Sequence, residues 1–173
     1  AALPHLLSRA YKEKLLHVTT DCAFNGITGA PYTEHSTKSP NDFYGLSKSL
    51  GEPGEQSLVL RTSIIGPELE GSVSLLGWLH KQRGTTVQGY TNHLWNGVTT
   101  DAFGDICSKI AADRASFPKS GLFHVFSTTV SKYYMLVALN EKYNLDVTVE
   151  ATAPTPVDRR LGTDFDFCAK LQI

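Results

Sequence analysis

The 173-residue chain has little cysteine, no long apolar run and no excess of either charge. Cys22, Cys107 and Cys168 are an odd number, widely spaced, with no Cys-x-x-Cys pair. A disulfide framework is thereby excluded. With no histidine at ligand spacing, so is a zinc site or other metal centre, and the thiols read as bystanders in a reducing cytoplasm. Apolar runs such as Leu58–Leu60 stop after a few residues, so nothing spans a bilayer. Sixteen Lys and Arg offset 17 Asp and Glu with neither a basic stripe nor an acidic tail, which excludes nucleic acid and membrane surfaces as partners. Internal repeats and low-complexity tracts are also missing. A hydrophobic share of 41% over this length suits one domain, or one domain with a small satellite, around a real core.

Along the chain, helical and strand patterns alternate. The first stretch, AALPHLLSRAYKEK, is basic and amphipathic like a transit peptide, but it runs directly into an apolar strand and reads as a helix of the fold. Leu3, Leu6, Leu7 and Ala10 share one helical face, and Leu15–Thr20 is a short buried strand. Asn25–Pro40 is too long for a tight turn and marks a functional loop. Asn41 or Asp42 caps a helix to about Glu52, ended by Pro53-Gly54. Ser57–Ile65 reads as one buried strand stopped by Gly66-Pro67. Helices follow near Ser74–Gln82, Thr99–Ala115 and, capped by Ser131, on to Tyr143. Strands fall at Thr85–Gly89, Leu122–Phe126 and Asp146–Glu150. Strands separated by helices imply parallel pairing and an α/β fold.

Chemistry concentrates between Thr19 and Glu52. Tyr44 and Lys48 are one helical turn apart and share a face. A free phenol, with a pKa of about 10, is a poor acid at neutral pH, and an ammonium one turn away favours its ionised form. Thr20 ends a strand, and in an open parallel sheet that carboxyl edge is where ligands sit. A strand-end hydroxyl facing a Tyr/Lys helix can bind a carbonyl oxygen while Tyr44 donates a proton. Tyr-x-x-x-Lys alone is a weak pattern that chance supplies often. Its order here, after Thr-Thr-Asp and before Arg61-Thr62-Ser63, is far more specific.

These residues resemble the extended short-chain dehydrogenase/reductase family, in its dTDP-4-dehydrorhamnose reductase-like, sugar-nucleotide-binding branch. Thr19-Thr20-Asp21-Cys22-Ala23-Phe24-Asn25-Gly26 matches the strand-end S-T-D-x-V-F-x-G. Tyr32, Glu34, Pro40, Tyr44, Gly45, Ser47, Lys48, Gly51 and Glu52 match the loop and helix that follow, and Arg61-Thr62-Ser63 the next strand. Gly121-Leu122-Phe123-His124 and Arg159-Arg160-Leu161 extend the likeness over nearly the whole chain.

The resemblance implies an NAD(P)-binding Rossmann fold. Residues 1–66 with 97–127 would form part of the nucleotide-binding domain, and residues 67–96 with 128–173 a small α/β substrate subdomain. It implies hydride transfer from NADPH or NADH to a nucleotide-linked 4-keto sugar. Thr20 would orient the carbonyl, Tyr44 act as acid and Lys48 hold the nicotinamide ribose. Thr19, Tyr44, Lys48, Arg61, Thr62 and Ser63 would contact the cofactor; Thr20, Asp21, Phe24, Asn25, Asn92, Trp95 and Arg160 the substrate, Arg160 through its diphosphate. The partners implied are a nucleotide sugar and a second copy in a homodimer.

Two departures stand out. No Gly-x-x-Gly-x-x-Gly turn occurs, and the chain starts at Ala1 inside a helix, so a fragment unable to bind NAD(P)H or turn over by itself is expected. Ile64 stands where such reductases tend to carry Trp, and Tyr90–Thr100 replaces a Gly/Pro-containing segment; Gly97 there reads as a turn and Thr99 as a cap. Two alternatives share the scaffold: an epimerase or dehydratase, disfavoured because Asp21 is followed by Cys22 rather than a second acid, and a non-catalytic nucleotide-binding regulatory subunit.

Overall fold

The computed structural model describes residues 1–54, 56–71 and 73–171. Helix α1 (Ala2–Tyr11) leads into strand β1 (Leu16–Thr20); helix α2 (Phe43–Leu50) then precedes β2 (Leu58–Thr62) and the two-residue β3 (Ile64–Ile65). After α3 (Leu75–His80) come β4 (Thr86–Tyr90), β5 (His93–Trp95) and β6 (Val98–Thr99), followed by α4 (Thr100–Ala112). The chain finishes with β7 (Gly121–His124), β8 (Val130–Ser131), α5 (Lys132–Tyr143), β9 (Thr148–Thr152), β10 (Val157–Asp158) and α6 (Phe167–Leu171).

Strands β1, β2 and β7 form a parallel sheet in that order, with β2 central and buried along its whole length. Its apolar run is the signature of a strand covered on both faces. Leu58 and Leu60 join Phe103, Ile106 and Ile110 of α4 in the main core, where each buried side chain contributes about 1.5–3 kcal/mol. A second core of Leu79, Val87, Leu136, Leu145 and Val147 lies under the parallel pair β4–β9, against α3 and α5. A third, small sheet has the order β10-β5-β8.

Several elements differ from the sequence expectation. The strand expected over Ser57–Ile65 breaks at Ser63, whose carbonyl accepts from the Val98 amide (2.9 Å), and β3 pairs with β6 instead of continuing in the first sheet. On α1 the apolar stripe faces outward: Leu3 and Leu6 are exposed, while Ser8 is buried and hydrogen-bonded to Ser57. The strand expected from Asp146 starts at Thr148, because Asn144 and Asp146 take left-handed φ and the Asn140 amide pairs with both backbone groups of Val147. The C-terminus, which carries no helical pattern in the sequence and falls in the expected smaller unit, forms α6 and packs on the first core, with Phe167 stacked on Phe123 of β7. Residues 172 and 173 of that expected unit lie outside the described residues.

Candidate active site

The register Thr20↔Thr62 ends β1 and β2 together, so their terminal hydroxyl residues form one edge. Helix α2 is brought to this edge by two local devices. Asp42 Oδ1 accepts from the Gly45 amide (2.6 Å) and caps the helix. Gly45 lies so close to the Cys22 carbonyl that any Cβ would overlap it. The Gly of Tyr44-Gly45-x-Ser47-Lys48 is therefore a packing requirement, setting Tyr44 and Lys48 beside β1.

Thr19, Thr20, Asp21, Tyr44, Lys48, Thr62 and Ser63 line one cavity of about 330 Å³. Asp21, Cys22, Ser63 and Ile64 also line a larger cavity of about 690 Å³, so the two adjoin. The larger one is walled by Ile65, Leu75, Leu94, Trp95 and Met135, with Lys132, Arg159 and His93 as its basic groups. Gly97 is more than a turn: a Cβ there would overlap the Ser63 carbonyl and the Trp95 ring.

Thr20 Oγ1 accepts from the Cys22 amide (3.2 Å) and donates to Asp21 Oδ1 (3.1 Å). Burial pushes the Asp21 carboxyl above the ordinary carboxylate range, against the pull of Thr20 and Arg159. Burial likewise raises the Cys22 thiol. Thr19 Oγ1 is buried without a partner.

Other expected site residues lie elsewhere. Phe24 is fully buried and stacked on Tyr32 (4.2 Å between centroids), a core ring rather than a ligand contact. Asn25 Oδ1 accepts from the Ile27 amide (2.8 Å) and from Tyr32 Oη (3.2 Å), shaping the loop. Asn92 donates to the Pro154 carbonyl, outside both cavities. Arg61 is buried: its guanidinium makes two bonds to Glu52 (3.0 and 2.8 Å), a third to His124 Nε2 (2.7 Å), and lies over the Phe24 ring, so its side chain holds the sheet and does not reach the cavity. Arg160 pairs with Asp158 (2.7 Å).

Arg159, not Arg160, lines the larger cavity. Residues alternate sides along an extended strand, so Val157 and Arg159 line the cavity while Asp158 and Arg160 pair on the other face. That alternation was a readable signal. Arg159 Nη2 donates to Asn41 Oδ1 (3.2 Å) and Nη1 to Cys22 Sγ (3.6 Å), while its Nε is buried without a partner. Gly26, at φ +77°, lets the Arg159 stem pass. Lys132 lies over the Tyr90 ring at 5.3 Å. No pattern in the sequence marked Lys132.

A parallel sheet with hydroxyls at its carboxyl edge, bordered by a Tyr/Lys helix, belongs to the Rossmann-type α/β class. Within it, the chain belongs to the family described as the RmlD substrate binding domain, whose profile matches residues 6–160. A dTDP-4-keto-6-deoxy-D-glucose reductase of Streptomyces niveus is 26% identical over 160 residues, covering 86% of this chain and 52% of that protein. The chain thus spans about half the length of this curated relative. Among solved structures, a hypothetical dTDP-4-dehydrorhamnose reductase from Sulfolobus tokodaii superposes with a TM-score of 0.73 at 24% identity, over 99% of this chain and 63% of that one. The dTDP-4-dehydrorhamnose reductase of Bacillus anthracis, solved in complex with NADP, gives 0.69 at 18% identity, over 94% and 62%.

Proposed function

We propose that this chain supplies the proton donor and sugar-nucleotide pocket of an NAD(P)H-dependent reductase acting on a nucleotide-linked 4-keto-6-deoxy sugar. The observation that carries the reading is the pair of adjoining cavities, one holding Thr20, Tyr44 and Lys48, the other combining apolar walls with Lys132 and Arg159. The mixed wall suits a ligand with a flat or apolar part and an anionic part, and a guanidinium fork suits a diphosphate.

The residues present fit the nicotinamide end of a cofactor. Thr62, Ser63, Tyr44 and Lys48 line the smaller cavity together, a wall of hydroxyls beside one ammonium that suits the polar amide and ribose of a nicotinamide nucleotide. The sequence holds no Gly-x-x-Gly-x-x-Gly turn, so the chain's own contribution is confined to that end. A reduced nicotinamide, NADPH or NADH, supplies the hydride when bound. Thr20 binds and orients the carbonyl oxygen. Tyr44 Oη gives that oxygen its proton, and the Lys48 ammonium stabilises the phenolate left behind until water reprotonates it. Trp95 and the aliphatic wall hold the sugar nucleotide, and Arg159 its diphosphate.

Calorimetry of the chain with dTDP-glucose, using glucose and thymidine as controls, tests the substrate half. Binding that needs the diphosphate supports the reading, and no binding removes it. In a longer protein carrying this chain, Tyr44→Phe should lower kcat by about two to four orders of magnitude with little change in NADPH affinity. Near-normal turnover would remove Tyr44 from the acid's role.

A further inference from the structure

A threonine hydroxyl has one proton to give and two lone pairs to accept with. Thr20 already accepts from the Cys22 amide and gives its proton to Asp21. An ionised carboxylate only accepts, so opposite it the proton of Thr20 is committed. A carbonyl oxygen, also an acceptor, would then find no donor on Thr20. A neutral Asp21 reverses this: its own O–H donates to Thr20 Oγ1, and the proton of Thr20 is released toward the cavity.

What surrounds Asp21 makes the neutral form accessible. The carboxyl is buried at the junction of the two cavities, facing the Thr20 and Ser63 hydroxyls, the Cys22 thiol and the Arg159 guanidinium. Tyr44 and Lys48 share the smaller cavity, and His93, Lys132 and Glu68 the larger. No carboxylate stands within ion-pair distance of Arg159 among the described residues, and its Nε has no partner. Each Nη keeps a second N–H beside those given to Cys22 and Asn41, so Arg159 is able to take an anionic ligand group at the larger cavity. Doing so offsets the guanidinium charge that favours ionised Asp21.

We infer that Asp21 is a positioning residue for Thr20: an anion bound to Arg159 turns Asp21 to its neutral form, which frees the Thr20 proton to hold a substrate carbonyl. The proton comes from solvent to an Asp21 carboxylate oxygen, and no bond to substrate forms there. Occupation of the diphosphate subsite thus arms the carbonyl subsite. The inference rests on the proposed roles of Thr20 and Arg159.

The test is a ¹³C NMR titration of the Asp21 carboxyl in the whole chain, the signal assigned by its loss in Asp21→Asn. Arg159→Gln should raise the titration midpoint by about one pH unit or more, and Arg159→Lys should restore it. Thr20→Val should raise it as well, by removing a donor to the charged form. An unchanged midpoint in both Arg159→Gln and Thr20→Val overturns the inference. In a second measurement dTDP-glucose, which has no group titrating near neutrality, is bound in buffers of different ionisation enthalpy. Proton uptake that disappears in Asp21→Asn supports the coupling, and uptake unchanged in that variant overturns it. Failure of dTDP-glucose to bind, with the Arg159→Gln shift present, would remove the nucleotide-sugar reading and leave the Asp21–Arg159 coupling standing.

Discussion

Acidification from pH 7.5 to about 5 is expected to remove about 2 kcal/mol of stability through His124 alone. This residue is fully buried on β7, where Nδ1 donates to the Gly162 carbonyl (2.8 Å) and Nε2 accepts from Arg61 (2.7 Å). That pairing requires the neutral ring. Burial and the neighbouring Arg61 lower its pKa from 6.5 to about 4. Above 6.5 the ring is neutral folded and unfolded, and the full stability is present. Below that value the unfolded chain takes up a proton that the folded one refuses, so stability falls with pH. The loss is complete near the folded value, at about 1.4 kcal/mol per unit of the difference, or about 3 kcal/mol in all. For a chain of this size, 2 kcal/mol corresponds to about 4–8 °C in Tm. The assay is thermal melting of the wild type and His124→Gln from pH 7.5 to 5. The variant should start less stable and lose less on acidification. His17, lowered by burial, and Asp21, raised by it, titrate in both proteins and cancel in the comparison. Equal slopes in the two proteins would refute the burial of a neutral His124 against Arg61.

Glu52→Gln should cost about 3–5 kcal/mol in denaturant unfolding, because it leaves the buried Arg61 guanidinium without its anion. Lys38→Met, at a half-exposed partner of the same carboxylate, should cost no more than about 1 kcal/mol, and equal costs would refute the distinction. Gly45→Ala should destabilise by about 1–3 kcal/mol by driving a Cβ into the Cys22 carbonyl, read from the same unfolding curves; a neutral effect would mean α2 is not held where described. Trp95→Ala should weaken dTDP-glucose binding in calorimetry and raise KM more than it lowers kcat. No change in either measurement would make Trp95 a packing residue.

Local chemistry placed the elements that build the candidate site. Asp42, Thr99 and Ser131 each accept a first-turn amide, as cap residues do, and their helices begin where these side chains stand. The two- and three-residue strands β3, β5, β6, β8 and β10 were not legible, because segments so short carry no period. The outward face of α1 escaped for a related reason. A helical stripe shows which residues lie together, and Leu3 and Leu6 do, but not which side meets the rest of the protein.

Strand ends, helical spacing and caps are short-range properties of the chain, and they suffice to bring Thr20, Tyr44 and Lys48 to one edge of a parallel α/β sheet. Tertiary structure alone decided what the neighbouring polar residues do. Arg61 and Arg160 read as ligand contacts until Glu52 and Asp158 are seen to hold them, while Arg159, one position from Arg160, has no carboxylate within ion-pair distance among the described residues and lines the larger cavity. Asp21 depends on the same information: burial raises its pKa, against Thr20 and a guanidinium more than a hundred residues away in sequence. Electrostatics acts through distance and burial in space, and neither is written in the order of residues.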